Sequence, residues 1–85
     1  MCDFILSKFD NNDVEKWFWE TDIQFWKHGF GSKRKICELV HVLDEEAIFI
    51  VIKILEKWEG SLNSFTYYEI KKRLYMRYMY VTFYH

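Results

Sequence analysis

The chain has no proline, three glycines and two cysteines among its 85 residues. Without proline no position forbids helix outright, so breaks fall to Gly29, Gly31 and Gly60, which divide the chain into three blocks. Cys2 and Cys37 are too few for a disulfide framework, so reduced thiols and a cytoplasmic setting are expected. Surplus charge is missing too: the formal net charge is −1, which excludes a globally basic nucleic-acid binder. Lys53 interrupts the longest apolar run, so no integral membrane segment is expected. Phe4-Ile5-Leu6 is a short apolar run without a preceding basic region, so no signal peptide is expected. There is no linker, repeat or low-complexity tract.

What abounds is ring-bearing side chains. The chain is 51% hydrophobic and 21% aromatic, with four Trp, six Tyr and eight Phe. A chain of this length encloses only a modest core. Some rings are therefore expected on the surface, where contiguous apolar area marks a protein partner or a second copy of the chain.

The stretch Ala47-Ile48-Phe49-Ile50-Val51-Ile52-Lys53-Ile54-Leu55 reads as the central helix. Asp44, Glu45 and Glu46 precede it, as carboxylates do at a helix N-terminus, and Gly60 ends it in a left-handed position. At 100° per residue its apolar arc is about 200° wide, which requires cover on two sides. Asn12 with Glu15 reads as the cap of a first helix over 13–28. Ser32 reads as the cap of a second over 33–43, unless 33–59 is one continuous helix. Thr66 with Glu69 reads as a capping box for a last helix over 67–80. Residues 2–9 and 78–84 also carry strand character. The expectation is a single all-α domain over 1–85: a small bundle of three to four helices around a central apolar helix (44–59), with possible short terminal strands.

The first helix carries two apolar faces. Val14, Trp17, Phe18 and Phe25 lie on one, and Trp19, Ile23 and Trp26 lie nearly opposite, with Phe30 extending that stripe if the helix runs on. One small core needs one face, so Trp19, Ile23, Trp26 and Phe30 form the candidate partner interface. A second candidate is Ser32, Lys33, Arg34 and Lys35, where cations crowd a helix N-terminus that offers unpaired N–H groups to an anion or an acidic partner. The spacing of a P-loop is absent. A third is the basic, tyrosine-rich C-terminal helix. There Lys72, Arg73, Arg77 and Tyr80, among Lys71, Tyr75, Tyr78 and Tyr84, suit phosphates and stacked bases.

Cys37 and His41 sit four apart on one helix face, but two ligands do not close a zinc site. Cys2, His28 and His85 would join only through tertiary placement, so a buried thiol, a surface imidazole and no metal or cofactor are expected. No Ser/His/Asp or Cys/His catalytic signature is present. His41 near Asp44 is the sole acid–base pairing to weigh, and it lacks a nucleophile, so no enzyme is expected.

Leu43-Asp44-Glu45 opening a helix that ends at Glu59-Gly60, and Thr66-Tyr67-Tyr68-Glu69-Ile70 opening another followed by Leu74, resemble the first half of a winged-helix domain. A recognition helix and a wing are missing after Leu74, and no DNA-binding residues carry over. The functional expectation is a small protein-interaction or regulatory protein, an adaptor or stoichiometric inhibitor, self-associating and acting through an aromatic surface. Its brevity fits viral or mobile-element origin. The alternative is a nucleic-acid-binding module using the loop 31–35 and the C-terminal helix.

Overall fold

Asp13, Gly31, Asp44 and Asn63 set where four helices begin. The computed structural model describes residues 5–83, and side chains over 5–78. Helix α1 spans Val14–His28, and its cap is Asp13 rather than Asn12: Asp13 Oδ1 accepts the Lys16 amide at 3.2 Å. The Asn12 amide instead donates to Asp10 Oδ1 at 3.0 Å, closing the turn before the helix. Gly29 ends α1 at φ +66, and the Phe30 amide reaches back to the Phe25 carbonyl at 3.1 Å.

Helix α2 spans Ser32–Val42 with Gly31 as its cap, so Ser32 is the first helical residue and not the cap. Residues 33–59 are two helices, because Leu43 and Asp44 both turn to extended backbone. Helix α3 is Glu45–Lys57, and Asp44 Oδ1 accepts the Ala47 amide at 2.9 Å. After Trp58, Glu59 and Gly60 both take positive φ, and the Gly60 amide closes on the Leu55 carbonyl at 2.9 Å.

Helix α4 spans Ser64–Phe83 and starts three residues earlier than the sequence predicts. The Asn63 carboxamide oxygen accepts the Thr66 amide at 2.9 Å. The buried Thr66 hydroxyl donates to the Ser61 carbonyl at 2.7 Å, and Glu69 turns to α3. The capping box at Thr66 is thus replaced by an Asn63 cap. Among the described residues there is no strand. Residues 5–10 are irregular, and 78–83 continue α4, since no glycine or proline interrupts it. The rest of both expected strands, 2–4 and 84, lies outside the described residues.

The fold is thus all-α, a bundle of four helices. The common wall is α4, against which α1, α2 and α3 all pack. Phe18 and Phe25 of α1, Leu39 of α2, Val51 and Ile54 of α3, and Ile70 and Leu74 of α4 are sealed in the core. Ala47, Val51 and Ile54 form the sealed stripe of α3; Ile48 and Leu55 are only half-buried, and Phe49 and Ile52 face water. Among the described residues α3 is covered on one side only, and the N-terminal segment packs on α1 and the end of α2. There the Phe9 amide donates to the Val42 carbonyl at 2.9 Å, and the Trp17 indole donates to the Ser7 carbonyl at 3.0 Å. The Phe9 ring meets Trp17 and Tyr78 edge-on at 4.9 and 5.2 Å. No helix among the described residues is long and apolar enough to cross a membrane.

Candidate functional site

Helix α1 keeps both of its apolar faces, and only one is covered. Val14, Trp17, Phe18, Thr21 and Phe25 are buried. Trp19 is 65% exposed, Ile23 37% and Trp26 81%. Phe30 does not extend this stripe. The helix stops at His28, and the left-handed turn at Gly29 folds the Phe30 ring back to within 6.0 Å of Phe25. Three of the four expected interface residues therefore share a face, and the fourth packs against the core.

Two grooves flank that face. One, of about 820 Å³, runs along the α1–α4 seam between Trp19 and Asp22 on one bank and Lys71 and Tyr75 on the other. The second, of about 300 Å³, lies between Glu20, Ile23 and Gln24 and the irregular segment at Ile5 and Leu6. The seam itself is tied at Asp22, which accepts the Tyr67 hydroxyl at 2.7 Å and pairs with the Lys71 ammonium. Burial, and then that hydrogen bond, raise the Tyr67 hydroxyl far above the ordinary tyrosine range, so it stays a donor. The outer face of α1 is accordingly on a helix tied to α4.

Sequence reasoning missed a second apolar surface. Phe65, Tyr68 and Met76 of α4 lie exposed with Lys72 in the same stripe, and Phe49 and Ile52 of α3 are exposed as well. The spacing 65, 68, 72, 76 is the signal, and it vanishes when 61–65 is read as loop.

The basic loop does not converge on an anion. Arg34 pairs with Glu38 at 2.7 Å and lies 4.4 Å over the Phe30 ring, while the Lys35 ammonium sits 5.1 Å over Tyr67. Ser32 is half-buried at the uncapped start of α2, and of the three cations Lys33 alone is exposed without a partner among the described residues. The cations of α4 are likewise engaged. Lys71 holds Asp22, Arg73 approaches Glu69 at 3.7 Å, and Arg77 pairs with Glu46 across to α3. Glu69, Arg73 and Arg77 line the α3 side of α4, and of this basic group Lys72 remains exposed and unpaired. Tyr75 stacks on Phe18 at 5.4 Å. The side chains of Tyr80 and Tyr84 lie outside the described residues. Among the described residues most cations of the two expected basic sites are thus engaged within the chain.

Glu69 gathers the end of α3. Its carboxylate accepts the Lys57 ammonium at 3.1 Å on each oxygen and the Trp58 indole at 3.0 Å. The Lys57 bond, followed by the Trp58 bond, lowers its pKa below the ordinary carboxylate value. A carboxylate with a lowered folded pKa stabilises the fold above its unfolded pKa, and that contribution fades as pH falls through the folded value. Glu69→Gln is expected to remove it. Urea midpoints measured from neutral pH down through the carboxylate range should then converge between variant and parent on the acid side. A constant offset at every pH would refute this role.

Cys37 is exposed, not buried as expected, because the buried stripe of α2 is Ile36 and Leu39. His41 is exposed beside it, and among the described residues no three groups could hold a metal. Cys2 and His85 lie outside the described residues. Asp44 Oδ1 accepts the Ala47 amide and, at 3.4 Å, the Tyr78 hydroxyl, which gives this carboxylate a structural role at the start of α3. No protein-family model matches the chain, and no curated protein or solved structure matches it either.

Proposed function

We propose that this is a small protein-interaction protein, an adaptor or stoichiometric inhibitor, that docks through the outer face of α1. One observation carries the reading: Trp19 and Trp26 stand in water on a helix whose opposite face is sealed. Exposed indoles on an ordered helix suit the anchor role in an interface, since they bring large area at little further ordering cost. The nucleic-acid alternative draws on cations that are mostly paired with carboxylates of the same chain, leaving Lys33 and Lys72 for a phosphate backbone. Protein contact is the reading the free surface supports better.

A photo-crosslinking side chain placed at Trp26 should yield adducts with a polypeptide, and the same probe at the exposed Glu56 should not. Trp19→Ser combined with the Trp26 probe should cut the yield several-fold while leaving the thermal unfolding curve within a few degrees of the parent. Equal yields from both probe positions, or none from either, would sink the proposal.

A further inference from the structure

We infer that the occupant of this α1 face is a second copy of the chain, laid antiparallel across it about a two-fold axis at Ile23. The inference rests on the α1 docking reading and adds the partner and the register. At 100° per residue Ile23 marks the middle of the face. Trp19 and Trp26 flank it on the side of the α4 seam, where Trp19 shares a groove with Lys71 and Tyr75. Glu20 and Lys27 flank it on the other side, where Glu20 shares a groove with Ile5. Glu20 and Lys27 are both exposed, and neither joins an ion pair among the described residues.

A two-fold axis perpendicular to the helix brings together residues that lie about equally far before and after it on the same flank, and here each pair is three and four residues from Ile23. Trp19 then meets Trp26 of the second copy, and Glu20 meets Lys27 of the second copy, each contact occurring twice. One axis satisfies the indoles and the charges at once. A parallel pair, with its two-fold axis along the helices, exchanges the flanks, so Glu20 and Lys27 would face the indoles of the second copy and form no ion pair. The net charge of −1 adds little long-range repulsion between copies. Four indoles of this exposure offer on the order of 600 Å² in all, below the size of a standard stable interface, so association in the micromolar range or weaker is expected.

Sedimentation equilibrium from about 1 μM to about 1 mM tests this on the full chain. The expected result is a monomer–dimer equilibrium that E20K and K27E each weaken about tenfold, since each turns two attractions into two repulsions. The double variant E20K/K27E should return to within about threefold of the parent, with circular dichroism confirming that all three keep their helix content. A monomer at every concentration overturns the inference, as does a dimer that ignores the single swaps or is not rescued by the double. If the chain is monomeric yet the Trp26 probe still captures another polypeptide, self-pairing falls and docking through α1 stands.

Discussion

Phe18→Ala is expected to lower the free energy of unfolding by about 3–5 kcal/mol, the range for truncating a sealed aromatic ring. Phe18 is wholly buried, and its ring lies 5.0 Å from Trp17 and 5.4 Å from Tyr75 in a stacked pair, with the Lys71 ammonium 5.9 Å above it. It therefore joins α1 to α4 by ring contact, as Phe25 does with Tyr67 at 6.2 Å, beside the Asp22 links. Domains of this size hold about 4–13 kcal/mol in total, so the variant should be close to half unfolded in mild urea at room temperature. Trp19→Ala, on the exposed face of the same helix, should change stability by no more than about 0.5 kcal/mol. Urea titration followed by far-ultraviolet circular dichroism reads both. A loss below about 1 kcal/mol for Phe18→Ala would mean that the α1–α4 contact is not where the bundle is held.

Trp17→Ala is expected to cost a similar amount, about 3–5 kcal/mol, and to do something Phe18→Ala does not. The Trp17 ring meets Phe9 edge-on, and its indole N–H is bonded to the Ser7 carbonyl, so it ties the N-terminal segment to α1. Its removal should release that segment and speed hydrogen exchange at the Phe9 amide, which is bonded to the Val42 carbonyl. Trp17→Phe separates the two roles. It keeps a ring against Phe9 but removes the donor to the Ser7 carbonyl, which lies on an exposed residue that water can reach, a loss of about 0.5–1.5 kcal/mol. Phe9 should then exchange faster than in the parent and slower than in Trp17→Ala. Unchanged exchange in both variants would show that the segment is held by other contacts.

The helices were legible in the sequence because their signals are local. Asp44 does cap α3, Gly29 does end α1 in a left-handed turn, and Gly60 takes the expected positive φ, although α3 already stops at Lys57. The two-faced character of α1 could also be read, since it needs only the spacing of its rings. What could not be read depends on partners distant in sequence. Lys71 meets Asp22 and Arg77 meets Glu46 over separations of 49 and 31 residues, and no periodicity records such a match. Read alone, those cations resemble a nucleic-acid surface, while in the fold they bind the helices to one another. The central place given to α3 failed for a related reason. Its apolar arc is wide, but the helix with three neighbours is α4, whose polar residues find carboxylates on α1 and α3.

The wall that the other three helices lean on comes after all of them in chain order. A ribosome delivering this chain at about 5–20 residues per second releases α1, α2 and α3 before the surface that shelters them exists. Until α4 emerges, the Phe18 and Phe25 rings lack Tyr75 and Tyr67 and are open to chaperones and to neighbouring nascent chains. Synthesis thus has an interval, seconds long, in which the sticky side of α1 cannot be told from the side destined for the interior.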